Sequence, residues 1–90
     1  MAAATESGSP IRENWGSLQL HIITFSNIDD TNTYASGINR VVGYWANGTD
    51  AATDHHNAGI DVANSSGTFT FSTGEDARTG MLYVLSEKTI

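Results

Sequence analysis

The chain contains no cysteine among its 90 residues. It can therefore form neither disulfide bonds nor thiolate metal sites, which are the usual supports of a small secreted domain. A chain of this length forms one domain, and folding buries only about 60–65% of the surface that the unfolded chain exposes. We expect an isolated copy to be modestly stable, and self-association is one remaining way for it to bury apolar surface.

Cations are scarce as well, with four Lys and Arg against ten Asp and Glu and a net charge of −6. Affinity for nucleic acid comes mainly from cations that contact phosphates, so this balance argues against nucleic-acid partners and against anionic membrane surfaces. No apolar run approaches the roughly 20 residues that span a bilayer. Residues 1–10 also lack the positive start and apolar middle of a signal peptide. We expect synthesis in the cytoplasm and no nucleic-acid or membrane partner.

Signatures of catalysis and of cofactor binding are missing from the sequence. There is no G-x-S-x-G elbow, no Gly-rich phosphate loop followed by Lys, and no dinucleotide fingerprint. The available bases are His21, His55 and His56, and none lies in a recognisable catalytic motif. The sequence therefore predicts a protein that is not an enzyme, with no catalytic residue and no cofactor.

Two polar segments contain residue types that ligate metals. The first holds two carboxylates and two imidazoles, at Asp50, Asp54, His55 and His56. Adjacent histidines in an extended chain point in opposite directions, so we interpret this segment as a solvated loop rather than a zinc site. The second holds Asp29, Asp30 and Asn32, without the Gly and distal Glu of an EF-hand loop. We interpret it as a turn, and we predict that the protein needs no metal.

Six segments show the residue pattern of short strands. They are residues 18–25, 33–36, 38–46, 60–63, 68–72 and 81–86. Turn residues separate them, and no apolar stripe of period 3.6 is present, which is typical of a sandwich or barrel. The sequence thus predicts a small all-β domain, an antiparallel sandwich or barrel of about six strands. Residues 47–59 are predicted to form a long loop that leaves room for one helical turn at residues 50–55.

The segment at residues 18–25 has apolar side chains on both faces. Leu20 and Ile22 alternate onto one face, whereas Ile23 and Phe25 continue the other, which suggests a switch of the buried face at a bulge or sheet corner. We choose the first of these faces for the interior. The predicted core consists of Leu20, Ile22, Val42, Phe69, Phe71, Leu82 and Val84.

Residues 1–14 are small and polar apart from Ile11, and they include Gly8 and Pro10. This composition predicts a flexible N-terminal arm, with residues 15–90 forming the single β domain. We expect the arm to be dispensable for folding but to strengthen attachment to a partner. Large amphipathic aromatics are enriched at binding hot spots. The predicted interface residues are Ile11, Arg12, Tyr44 and Trp45.

Aromatic residues also leave open a function of a different class. Flat aromatic faces pack against sugar C–H groups while their polar edges stay wet. Five residues of this type are Trp15, Tyr34, Tyr44, Trp45 and Tyr83. The alternative hypothesis is therefore a carbohydrate- or receptor-binding β module, although such residues more often lie in a core or an interface.

Three sequence blocks follow one another in a characteristic layout. A polar arm rich in Ala, Thr and Ser precedes TYASGINRVVGYWANGT, and SSGTFTFSTGEDARTGMLYVLSEKTI follows. This last block has a Gly-Thr-aromatic strand, a small-residue turn and a closing apolar strand. Over about residues 15–86, the layout resembles that of small structural proteins of tailed bacteriophages, in particular capsid decoration (cement) proteins.

The resemblance implies a virion structural protein made in the host cytoplasm and located on the capsid surface. It implies binding of the major capsid protein outside an icosahedral head, which would stabilise the head against internal genome pressure. It also implies a homotrimer, and it brings no catalytic residues. A small tail, fibre-associated or head-closure component has the same layout.

Overall fold

A computed structural model describes residues 3–49, 60–74 and 76–88. Over these residues the chain forms eight strands and no helix: β1 (Thr5–Glu6), β2 (Ile11–Trp15), β3 (Leu18–Ile28), β4 (Thr33–Ala35), β5 (Val41–Gly48), β6 (Asp61–Ser65), β7 (Thr68–Ser72) and β8 (Arg78–Glu87). The predicted all-β class is confirmed. The predicted helical turn and the four candidate zinc ligands at residues 50–56 lie outside the described residues.

The strands form two antiparallel sheets. In the larger sheet β3 and β8 are central, β5 pairs with β8, and both β1 and β2 pair with the other edge of β3. The smaller sheet has the order β4-β7-β6. The turn between β6 and β7 consists of Ser66 and Gly67, whose φ angles are 53° and 88°. A two-residue hairpin of type I′ requires positive φ at both positions, so Gly67 suits this turn.

The core lies between the two sheets. Its buried members are Ala4, Ile23, Phe25, Ile28, Ile60, Phe69, Phe71, Leu82 and Val84. Phe25 of the larger sheet meets Phe71 of the smaller sheet edge to face, with ring centroids 5.3 Å apart. Tyr34 of β4 approaches the same Phe25 ring at 5.1 Å. Aromatic pairs with this geometry add to the stabilisation that burial alone provides, so Phe25 links both sheets.

Three of the seven predicted core residues are not part of this core. Leu20 is buried, but on the face of β3 that points away from the smaller sheet; Ile22 is half-buried on that face. Val42 is exposed beside a register shift in β5 between Val41 and Gly43. Periodicity cannot choose between two apolar faces of one strand, because the choice depends on where the second sheet packs. The other four predicted core residues are buried in it.

The predicted switch of the buried face also occurs later than expected. β3 pairs with β8 without interruption from Leu18 to Phe25, and the register shifts only between Phe25 and Ile28. Ile23 and Phe25 therefore point into the core together, and the irregularity brings Ile28 into it as well. A bulge of this kind inserts an extra residue and restores an apolar side chain to the interior.

Strands occupy part of the predicted N-terminal arm. All five residues of β2 pair with β3, and β1 pairs with β3 at Thr5 and Glu6. Ala4 is buried in the core, and its backbone N–H donates to the Thr33 carbonyl at 2.9 Å. Instead of a free arm, the structure thus has two edge strands. Every side chain of β2 is exposed, so backbone hydrogen bonds to β3 hold this strand in place. Amino-acid composition gives no information about such backbone pairing, which is why the sequence predicted a flexible arm.

Candidate functional site

The larger sheet has an apolar surface on the side that faces away from the smaller sheet. Along β8, alternate residues from Gly80 to Ser86 are buried, while those between them are half-buried and point outward. Cross-strand pairing extends this outward row onto β2, β3 and β5. We call this surface the outer apolar face; it consists of Ile11, Trp15, Leu18, Leu20, Ile22, Trp45, Met81, Tyr83 and Leu85.

Three large side chains of the outer apolar face are about half exposed. The exposed fraction is 55% for Ile11, 53% for Trp15 and 48% for Trp45. The Trp45 indole is stacked on the Tyr83 ring, with centroids 5.0 Å apart and planes 10° apart. Contiguous apolar surface of this kind marks interaction sites on soluble proteins, whereas single exposed apolar residues do not.

Two carboxylates lie in the same outward rows. Glu13 pairs with Leu20, and Glu87 pairs with Leu18. The Arg40 guanidinium lies 4.0 Å from the Glu87 carboxylate, and both side chains are well exposed. An exposed ion pair at this distance contributes little to stability. The outer apolar face thus carries two carboxylates, and Arg40 lies beside one of them.

The four predicted interface residues divide between the two sides of the larger sheet. Ile11 and Trp45 lie on the outer apolar face. Tyr44 points to the opposite side, where its ring meets Phe69 edge to face at 5.4 Å and its hydroxyl accepts from the Asn64 backbone N–H at 3.3 Å. Tyr44 thus joins the two sheets. The fourth residue, Arg12, is directed toward a pocket on the same inner side.

This pocket has a volume of about 220 Å³. It is formed by β2, β3, β4 and β8 together with residues 36–39, which lead from β4 to β5. Its polar lining residues are Arg12, Gln19, His21, Tyr34, Ser36, Asn39 and Ser86. Pro10, Ile23 and Ile38 supply apolar walls. We call it the inner pocket; it combines one guanidinium with several neutral hydrogen-bonding groups.

His21 and Ser86 form a buried hydrogen-bonded pair in the inner pocket. His21 Nε2 lies 3.0 Å from Ser86 Oγ, and the two residues are 8% and 3% exposed. Burial, followed by the positive charge of Arg12, lowers the pKa of the His21 imidazole. The distance suits a nucleophile and its base, but no carboxylate in the described part of the chain hydrogen-bonds to this imidazole to orient it. The pair lies in the lining of the inner pocket.

The lowered pKa of His21 predicts a pH-dependent stability. The unfolded chain binds a proton at a pKa of about 6.5, whereas the folded protein resists that proton. Below pH 6.5 the unfolded chain therefore binds more protons than the folded protein. The free energy of unfolding is highest above this pH and decreases as the pH falls through 6.5 toward the lower folded pKa. In thermal melts from pH 8 to pH 5, we expect wild type to lose more stability than His21→Gln. His55 and His56 are unchanged in the variant, so parallel curves would contradict the assignment.

Asp29 and Asp30 form a turn that is tied to the segment before β8. Asp29 Oδ1 accepts from the Ala77 N–H at 2.8 Å, and Asp30 Oδ1 accepts from the Thr73 N–H at 3.0 Å. The Asp30 N–H donates in turn to Asp76 Oδ1 at 3.1 Å. These carboxylates cap backbone donors, as Asp does in turns. Within residues 3–49, 60–74 and 76–88, no group of three or more acidic or histidine side chains is arranged to hold a metal.

Sequence reasoning did not identify the pair of His21 and Ser86, because its members are 65 positions apart. Neither belongs to a local motif, and only the pairing of β3 with β8 brings them together. One feature of the sequence could have indicated this site. His21 is a polar residue on the same strand face as the apolar Ile23 and Phe25. A polar group on an otherwise buried face indicates a site or an opening in the core.

Comparison with family models, with curated proteins and with solved structures finds no match to this chain. Among the described residues there is no helix long and apolar enough to cross a membrane. The function is therefore inferred from the chain's own geometry.

Proposed function

We propose that this chain is a non-catalytic structural protein that docks onto a larger protein assembly through its outer apolar face. The observation that carries this proposal is the contiguous set of half-exposed apolar side chains around Ile11, Trp15 and Trp45. Fully burying one such side chain contributes about 1.5–3 kcal/mol, so docking that covers all three supplies a few kcal/mol. Tryptophan is also enriched at binding hot spots.

The charges of the outer apolar face favour a partner other than a second copy. Two copies placed face to face would bring Glu13 and Glu87 of each copy into one interface. Like charges across an interface cost several kcal/mol, and Arg40 offsets this repulsion only beside Glu87. The partner that fits is a different protein, with an apolar surface bordered by Lys or Arg.

We propose further that the assembly is a phage head and that the partner is its major capsid protein. The resemblance to decoration proteins motivates this step. A small, cysteine-free, acidic β domain also suits a protein that gains stability when it binds, since a partner that binds only the folded state stabilises that state. The proposed homotrimer would use strand edges rather than the outer apolar face. Sedimentation of the isolated protein at micromolar concentration tests the trimer, and a monomer would contradict it.

Mass spectrometry of virions from the phage that encodes the chain tests the assignment to the head. We expect the protein in a fixed ratio to the major capsid protein, and its absence from virions would overturn the decoration hypothesis. Heads prepared without the protein then provide a binding assay for added variants. Trp45→Ala should weaken binding by about 2 kcal/mol or more, roughly 30-fold.

A matched pair of arginine substitutions tests which face docks. Gly43 pairs with Leu85 in the outer apolar face, and a Cβ at Gly43 would meet no atom within 4 Å. Gly43→Arg should therefore fold but block docking. Ala63 is exposed on the smaller sheet, so Ala63→Arg should bind heads like wild type. If both variants lose binding equally, or if both bind like wild type, the outer apolar face is not the docking surface.

A second candidate function is carbohydrate or receptor binding in a tail or fibre. The stacked pair of Trp45 and Tyr83 favours it, because the half-exposed indole offers a flat surface for sugar C–H groups. Titration of glycans monitored by tryptophan fluorescence separates the two functions. Saturable quenching that Trp45→Ala abolishes, together with no binding to heads, would favour the sugar-binding function.

A further inference from the structure

The inner pocket lies on the opposite side of the larger sheet from the outer apolar face, and it presents a different chemistry. His21 and Ser86 are more than nine-tenths buried and hydrogen-bonded to each other. Arg12 is the cross-strand neighbour of His21 and lines the same cavity. Three separate elements thus bring a guanidinium, an imidazole and a hydroxyl to one place.

Arg12 is the only cation among the residues that line the pocket. It forms no ion pair with any residue that the structure describes, although the chain has ten acidic residues. Glu6 of β1 interacts with Tyr34: burial, and then the Glu6 carboxylate, raise the pKa of the Tyr34 phenol. Arg12 is therefore left available to an anion that enters the cavity.

We propose that the inner pocket binds the carboxylate of a small organic acid, with Arg12 as its charged anchor and with His21 and Ser86 as hydrogen-bonding partners. A planar guanidinium matches a carboxylate, which it binds through two parallel hydrogen bonds. Pro10, Ile23 and Ile38 supply apolar walls for a short hydrocarbon stem. The pocket volume of about 220 Å³ suits an acid of a few carbons.

A single cation favours a carboxylate over a phosphate. Phosphate groups carry up to two charges and are usually held by several cations or by a row of backbone N–H groups. Arg12 of β2 and Ser86 of β8 lie beside His21, Tyr34 of β4 lines the same pocket, and Glu6 of β1 interacts with Tyr34. The Tyr34 phenol, whose pKa is raised, is neutral at pH 7, and the Glu6 carboxylate beside it disfavours a second negative charge, so a monoanion with an apolar stem suits the pocket.

Binding of an anion beside His21 should be linked to proton uptake. In the free protein, burial and Arg12 oppose protonation of the imidazole. A carboxylate next to the ring favours the protonated form, so the bound ligand should raise the pKa of His21. By linkage, the affinity for a carboxylate that stays ionised should rise as the pH falls from 8 to 6.

Nuclear magnetic resonance of the full chain tests the proposal, with butanoate as the probe and butanamide as its neutral isostere. We expect butanoate to shift the His21 imidazole and Ser86 amide resonances saturably, and butanamide to leave them unchanged. Arg12→Gln should weaken butanoate binding about tenfold, the cost of losing a charge-assisted contact. Lys88→Gln removes an exposed cation that does not line the pocket and should bind butanoate like wild type.

Several results would overturn the proposal. One is the absence of saturable shifts at His21 and Ser86, and another is an equal response to butanamide. Unchanged butanoate affinity in Arg12→Gln would show that Arg12 is not the anchor. Tighter binding of inorganic phosphate than of butanoate would show that the pocket prefers phosphate to a carboxylate. These outcomes do not depend on docking, because Gly43→Arg, which blocks the outer apolar face, should leave butanoate binding intact.

Discussion

Replacing Phe71 by Ala is expected to lower the free energy of unfolding by about 3–5 kcal/mol. Phe71 lies in β7, is fully buried, and meets the Phe25 ring of the larger sheet at 5.3 Å. Truncation removes the transfer free energy of the ring and leaves a cavity between two sheets that cannot fully close it. Small domains are stable by only about 5–15 kcal/mol, so this substitution removes a large share of the total.

Urea unfolding of the variant measures this loss. Ile11→Ala is the matched control, because it also truncates an apolar side chain but at a position that is more than half exposed. Surface substitutions of this kind usually change stability by no more than about 0.5 kcal/mol. If Phe71→Ala unfolds at the same urea concentration as wild type, the ring is not in the core, and the packing of β7 against the larger sheet is wrong.

Local patterns were sufficient to predict most of the strands. The predicted strand at residues 68–72 coincides with β7, and the one at residues 18–25 lies within β3. Both predictions rest on alternating apolar residues bounded by turn residues, and these signals act over only a few positions. The fold class follows from them, because strands that bury apolar side chains without helices must pack sheet on sheet.

The choice of buried face depended on contacts that no local pattern records. Ile22 and Ile23 are equally apolar neighbours on one strand, yet the smaller sheet packs only on the side of Ile23. Trp45 was predicted to be an interface residue because it is a large aromatic, and it is half exposed on the outer apolar face. It also selected Tyr44, whose ring joins the two sheets. One position along a strand reverses the side to which a residue points.

The inner pocket was beyond sequence reasoning for a related reason. Arg12, His21 and Ser86 meet only through the pairing of β2 and β8 with the two edges of β3. That register is set by the whole larger sheet, including strands in the segment predicted to be a flexible arm. Because residues 1–14 were predicted to be a flexible arm, the prediction left out both an edge of the larger sheet and one wall of the pocket.

Removing residues 1–16 is expected to destabilise the domain and to promote self-association. The deletion takes away β2, whose five residues all pair with β3, and because each backbone hydrogen bond contributes about 0.5–1.5 kcal/mol the loss is on the order of a few kcal/mol. It also removes Ala4 from the core. The deletion leaves the outer edge of β3 unpaired from Leu18 to Asn27, and an unpaired edge strand is a template for intermolecular pairing.

A shorter deletion separates the contribution of β2 from that of β1. Removing residues 1–6 eliminates β1 and Ala4 but leaves β2 paired with β3. We expect this variant to unfold at a urea concentration between those of wild type and of the longer deletion, and to sediment like wild type. The longer deletion should form larger species, because its β3 edge is open. If both deletions unfold and sediment like wild type, residues 1–16 are a dispensable arm, and the backbone pairing of β2 with β3 does not contribute to the fold.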